Sequence, residues 1–113
     1  MDIKINIDES IDDLQLNGLK LIQKQQGFRF GVDAVLLSHF ANIKNKHRVI
    51  DLCTGTGIVP FLAYGKYEPK EVIGIEIQED MVEMANRSSL LNDTTDIVKF
   101  VHGDLKDKAL LDL

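Results

Sequence analysis

Two glycines and three acidic residues are the features of this chain whose types and spacing could do chemistry. In Arg48-Val49-Ile50-Asp51-Leu52-Cys53-Thr54-Gly55-Thr56-Gly57 an apolar run gives way to a carboxylate and then to a tight turn of small residues. Gly55 and Gly57 remove side chains where a backbone must approach a ligand closely. Glu76 follows Gly57 by 19 residues, the separation at which an acidic residue on the next strand tip accepts hydrogen bonds from ribose hydroxyls. Asp104 stands at a third tip, where it could accept from an exocyclic amine such as adenine N6, with Leu105 or Ile77 packing on the base. Together these residues describe a pocket for an adenosine. Each is ordinary alone: Asp51 could merely cap the turn through side-chain-to-backbone bonds, and Glu76 could be solvated surface. Cys53 reads as a small residue in a crowded turn, not a nucleophile, because no histidine base is evident beside it.

Dinucleotide sites usually carry a third glycine, which permits close helix–strand packing beside the pyrophosphate. Here Pro60 holds that place, and no Gly-Lys-Ser/Thr follows the turn to make a nucleoside-triphosphate loop. S-adenosylmethionine has no pyrophosphate, and its cationic sulfonium suits an acidic lip such as Asp51. The pattern therefore favours S-adenosylmethionine, with a nicotinamide-dependent oxidoreductase as the weaker alternative.

The elements that must position these residues follow from periodicity. Arg48–Leu52, Glu71–Glu76 and Ile97–Val101 read as buried strands, with helices opening at Ile58 and running from Gln78 to Leu91. Pro60 is tolerable in a first helical turn. Met81, Met84, Ala85, Ser88 and Leu91 share a face, and Glu83 and Arg87 can pair across one turn. The result is βαβαβ, a parallel sheet with right-handed crossovers. Its continuous apolar strands suit a sheet covered on both faces. Upstream, Leu19–Lys24 and Phe28–Phe30 read as short strands with a turn at Gly27. A helix then follows Asp33, whose carboxylate can serve its N-terminus; residues 32, 35, 36, 40 and 43 form its apolar face. His39 reads as a packed or edge histidine, without partners at metal-ligand spacing.

At 113 residues and net charge −5, the chain is one domain at most and lacks the charge of a general nucleic-acid-binding surface. Residues 1–13 hold Asp2, Asp8, Glu9, Asp12 and Asp13 against Lys4 alone. Residues 1–14 are expected to be a loose acidic tail, and 15–113 the cofactor-binding part. Lys44, Lys46, His47 and Arg48 form a basic cluster, either a solvated loop or part of a phosphate-contacting rim. The single cysteine excludes an internal disulfide. No apolar run approaches the ~18 residues of a membrane span, and the polar N-terminus is not a secretory signal; cytoplasmic residence is the expectation.

The stretch from Gly27 to Leu37, then Val49 to Ile58, Val72 to Gln78 and His102-Gly103-Asp104-Leu105, resembles the tRNA(Val) adenine-N6-methyltransferase family of small-domain methyltransferases. That resemblance implies an α/β, Rossmann-like class I methyltransferase fold with an incomplete parallel sheet in the order 3-2-1, preceded by a short β-hairpin and helix. It implies S-adenosylmethionine as cofactor. Asp51, Cys53, Gly55 and Gly57 would line its methionine and ribose side, Glu76 would hold the ribose, and Ile77, Asp104 and Leu105 the adenine. Phe30, Gly31 and Asp33 would close over the methionine moiety. The implied substrate is an adenine of tRNA, extruded into the pocket. The family's Asn-Pro-Pro-Tyr motif, which holds the target amine, is missing: the prolines here are Pro60 and Pro69. The expectation is thus a truncated, N-terminal half that supplies the donor side and is inactive alone, or a non-catalytic binding module. An unpaired first strand would invite homo-oligomers through the exposed sheet edge.

Overall fold

The computed structural model describes residues 3–26 and 31–112. In chain order it holds β1 (Glu9–Asp13), β2 (Lys20–Lys24), α1 (Val32–Phe40), β3 (Arg48–Leu52), α2 (Ile58–Tyr67), β4 (Glu71–Glu76), α3 (Glu79–Leu91) and β5 (Val98–His102), closing on a 3-10 turn at Lys108–Asp112. The last three strands form a parallel sheet in the order β3-β4-β5. This is the expected βαβαβ unit, with its first strand at one edge.

Register decides which side chains meet. Val49, Val72 and Val98 lie abreast, as do Asp51, Gly74 and Phe100. Val98 and Phe100 are therefore on one face of the sheet, and both belong to a single core with Ile58, Phe61 and Leu62 of α2, Val82 and Ala85 of α3 and Leu21 of β2. Phe61 and Phe100 meet ring to ring at 5.6 Å. Ala34 and Val35 of α1 pack against the same core. All three helices thus gather on one face. The expectation of a sheet covered on both faces does not hold for β3: on the opposite face Ile50 is 49% and Leu52 59% exposed. Continuous apolar strands report burial only when both faces have something to pack against, and the helices of this chain supply one.

The face of α1 read as buried is only partly so. Val35 packs on the core and Ile43 is 7% exposed, but Val32, Leu36 and Phe40 are 72%, 60% and 88% exposed, while the buried residue of the helix is Ser38, whose hydroxyl donates to the Val35 carbonyl at 2.8 Å. Small side chains let α1 approach α2, and its larger residues are left on the far side. Asp33 sits in the first turn; the N-cap is Gly31, without a side-chain capping bond.

The acidic N-terminus differs most from expectation. Glu9–Asp13 pairs antiparallel with Lys20–Lys24, and the turn between them uses left-handed Gln15, Asn17 and Gly18. Gly27–Phe30, where a turn and second strand were expected, lie outside the described residues. Among the described residues of this segment, the acidic side chains have partners. Both oxygens of Glu9 accept from the Arg87 guanidinium at 2.7 Å, Arg87 also pairs with Glu83, and Lys24 reaches Asp8 at 3.1 Å. The outer edge of β2 is closed by α3: Ser88 Oγ accepts from the Ile22 N–H, and Asn92 both accepts from and donates to the backbone of Lys20. An orphan strand edge is thereby satisfied by helix side chains.

Candidate cofactor-binding site

In an open parallel sheet the carboxyl ends of the strands, where helices begin, form a crevice suited to ligands. Here the loop leaving β3 alternates: Cys53, Gly55 and Gly57 are left-handed, while Thr54 and Thr56 between them are buried. The loop is tied down by the Thr54 N–H, which donates to Ile75 O at 2.9 Å, and the Gly57 N–H, which donates to Thr54 O at 3.0 Å.

Glu76, at the tip of β4, is 7% exposed. Its Oε1 accepts from the Gly55 N–H at 2.9 Å and its Oε2 from the Gln78 N–H at 3.0 Å. The carboxylate therefore bridges the loop after β3 and the loop before α3, and each oxygen keeps a lone pair for a further donor. The tip is also held from β5. The Gly103 N–H donates to Glu76 O at 3.0 Å, and the His102 Nε2 lies 2.9 Å from Ile77 O.

Three adjoining hollows, of about 270, 430 and 240 Å³, meet around these groups. The first is walled by Gly31, Asp33, Asp51, Cys53 and Gly55, the second by Gly55, Glu76, Gln78 and Met81, the third by Cys53, Glu76, Ile77, Gly103, Asp104 and Leu105. Of the residues expected in the site, the fold thus brings together Gly31, Asp33, Asp51, Cys53, Gly55, Glu76, Ile77, Asp104 and Leu105. Phe30 lies outside the described residues. Gly57 does not line these hollows. It is the N-cap of α2 at φ 90°, and a Cβ on it would fall 2.6 Å from the Phe100 ring, so its glycine serves helix–sheet packing. Cys53 is exposed rather than crowded, and its left-handed backbone stores local strain at the junction of two hollows.

Polarity follows the same division. Burial raises the Asp51 carboxyl above the ordinary aspartate value, offset in part by the Thr54 hydroxyl. A cation beside it would favour the carboxylate. At the other end Ile77 and Leu105 are 60% and 46% exposed, two apolar side chains flanking the third hollow. Asp104 Oδ1 accepts from the Lys106 N–H at 2.9 Å, which orients its carboxylate. Gly55 has nothing within 4 Å of a would-be Cβ, so a side chain there would project into the space beside Glu76. The cleft thus carries a buried carboxylate in the middle, apolar walls with an acceptor at one end and an acidic lip at the other.

Several lining residues were not legible as site residues. Lys24 and Gln26 come from the hairpin and wall the second hollow with Asp80 and Met84; only tertiary folding brings them there. Met81, shared by two hollows, was visible as one position in an apolar helical period. The Gln78 backbone carried no signal. His39 is exposed and its Nδ1 lies 3.1 Å from the Tyr67 hydroxyl, an edge histidine linking two helix ends.

Comparison with known proteins agrees with this geometry. Over 77 residues the chain is 30% identical to a tRNA1(Val) (adenine(37)-N6)-methyltransferase of Bacteroides thetaiotaomicron, covering 67% of this chain and 32% of that protein. Over 60 residues it is 37% identical to a release factor glutamine methyltransferase of Thermodesulfovibrio yellowstonii, covering 52% of this chain and 21% of that protein. The chain spans about a third of the length of the tRNA1(Val) relatives it matches. The crystal structure of Pyrococcus horikoshii TYW2 in complex with MeSAdo superposes with a TM-score of 0.74 at 18% identity, covering 90% of this chain and 38% of that one, which supports the Rossmann-like fold. Residues 43–112, containing every strand of the parallel sheet and both loops that Glu76 joins, match the family model described as a methyltransferase domain, and the chain belongs to that family.

Proposed function

We propose that this chain binds S-adenosylmethionine along the carboxyl ends of its parallel sheet and supplies the donor side of an adenine-N6 methyltransferase acting on tRNA. One observation carries the donor reading: the buried Glu76 carboxylate, held by the Gly55 and Gln78 N–H groups between the second and third hollows. When bound, S-adenosylmethionine supplies an electrophilic methyl group on a positively charged sulfur. Glu76 accepts from the ribose hydroxyls with its remaining lone pairs, while Ile77, Leu105 and Asp104 receive the adenine. Asp51, with Asp33 and Gly31, faces the methionine end, where its carboxylate complements positive charge. Within the 113 residues Pro60 follows Val59 and Pro69 follows Glu68. No Asn-Pro-Pro-Tyr is formed, and the polypeptide alone is expected to transfer no methyl group.

The tRNA substrate is inferred from similarity to the tRNA1(Val) methyltransferases. A second reading is favoured by the glutamine methyltransferase relatives: adenine N6 and glutamine N5 are both planar nitrogens conjugated to an electron-poor carbon, so a shared donor half can serve either. Calorimetry tests the donor side. Glu76→Ala should weaken S-adenosylmethionine binding by about 1–3 kcal/mol, and unchanged affinity would sink the ribose assignment. Nucleoside analysis of tRNA from cells lacking the gene tests the acceptor side: loss of N6-methyladenine is expected, and loss of methylglutamine from a protein instead would select the second reading.

A further inference from the structure

We infer that the end of the molecule opposite the cofactor cleft is a docking surface for an RNA backbone, built where α1 and α2 end and β3 and β4 begin. The inference rests on the tRNA reading and deepens it. His39 of α1 lies 3.1 Å from the hydroxyl of Tyr67 on α2. The Lys70 N–H donates to the His47 carbonyl at 2.9 Å, and the Lys44 N–H donates to the His47 Nδ1 at 3.0 Å. These bonds join two helix ends and two loops into one surface.

That surface carries exposed Lys44, Lys46, Lys66 and Lys70, none of which takes part in an ion pair among the described residues. The acids facing it are few. Glu68 is exposed. Glu71 is already matched by Arg48 at 2.7 Å and Lys99 at 2.8 Å. Asp93 and Asp96 lie in the loop before β5, on the far side of β4. A chain of net charge −5 thus keeps an unmatched positive end. Lys66, in the last turn of α2, also complements the helix dipole; Lys44, Lys46 and Lys70 lie in loops beyond the helices and gain nothing from it. Phe40, the last residue of α1 and the neighbour of His39, is 88% exposed at this end of the molecule. Lysines that track phosphates beside an aromatic platform on which an unpaired base stacks are the usual composition of a single-strand or loop RNA contact. The path to the cleft is α1 itself: its first turn, at Asp33 and Ala34, walls the first hollow, and its last residue is Phe40. Nine helical residues span about 13 Å, well within one RNA stem–loop.

The test is fluorescence anisotropy with a labelled RNA stem–loop, read between 50 and 200 mM salt, on wild type, the triple variant K44E/K46E/K70E, and F40A. Wild type should bind with an affinity that falls with salt. The triple variant should lose at least 10-fold and show a shallower salt slope, since about three phosphate contacts are removed. F40A should lose several-fold with the slope unchanged. Thermal melts and S-adenosylmethionine titration should match wild type for both variants. RNA affinity unchanged in the triple variant overturns the docking surface while leaving the tRNA reading intact, since that reading fails separately if the tRNA nucleosides are unchanged in cells lacking the gene. Equal binding of an acidic peptide, displaced by the same substitutions, overturns the assignment to RNA.

Discussion

Gly55 and Gly57 look alike in sequence and do different work. Both are left-handed, at φ 60° and 90°, a conformation that costs an L-residue about 1–2 kcal/mol. A Cβ at Gly55 meets open cleft, while one at Gly57 meets Phe100 at 2.6 Å. Gly55→Ala should therefore cost only that strain in stability while lowering S-adenosylmethionine affinity at least ~10-fold. Gly57→Ala should cost more than ~2 kcal/mol of stability, because a packed ring must move. Paired melts and titrations check the contrast, and the reverse ranking would refute it. Asp51 gives a pH signature. Its carboxyl is held above the ordinary value by burial, so it protonates earlier than a free aspartate as pH falls. Affinity for the cationic cofactor should drop through that range, and drop less for S-adenosylhomocysteine, whose sulfur is neutral. In Asp51→Asn the ratio of the two affinities should stay flat with pH.

Among the elements, the hairpin depends on one buried ion pair. Arg87 beside Glu9 holds that carboxyl at about 2, well below its ordinary 4.5. A depressed acid stabilises the fold fully above its unfolded value, and the contribution is lost as pH falls from about 4.5 towards 2. Glu9→Gln leaves the buried Arg87 with only the more exposed Glu83 as countercharge and should cost up to about 3 kcal/mol at pH 7. Urea titrations should show the gap between wild type and variant narrowing as the pH is lowered towards 2. A constant gap would mean that the pair does not anchor β1 and β2 on α3. Because Lys24 and Gln26 of this hairpin wall the second hollow, loosening it should also weaken the cofactor.

For the whole molecule, gathering three helices on one face leaves the other face open along the edge strand β3. Ile50 and Leu52 are about half exposed there, although their β4 neighbours Ile73 and Ile75 are buried, while Val72, on the helix-bearing face, is fully buried. Replacing Ile50 and Leu52 together by Ser should cost about 2 kcal/mol, since each side chain is only about half buried, and reduce self-association seen by light scattering. Val72→Ala should cost about 2 kcal/mol or more. A double variant that associates as strongly as wild type would exclude β3 as the contact. Among the described residues no helix is long and apolar enough to cross a membrane.

The order of elements from α1 to β5 and the placing of Asp51, Gly55, Glu76 and Asp104 at or beyond the strand tips could be read from the chain. Each is a local signal: an apolar run, a small-residue turn, an acidic residue at a fixed distance. The hairpin could not be read this way. Glu9–Asp13 has a composition suited to solvent, and it is a strand because it pairs with Lys20–Lys24 and because Arg87, distant in the sequence, holds Glu9. Nor could the exposed face of α1 be read, because periodicity marks an apolar stripe without saying what lies against it. The difference between Gly55 and Gly57 also needed the fold, since both satisfy the same turn and only the position of the Phe100 ring separates a glycine facing the open cleft from one facing the core. Local pattern determined which residues stand at the strand ends. Packing between distant segments decided which of them face the cleft, and what the rest of the molecule leaves uncovered.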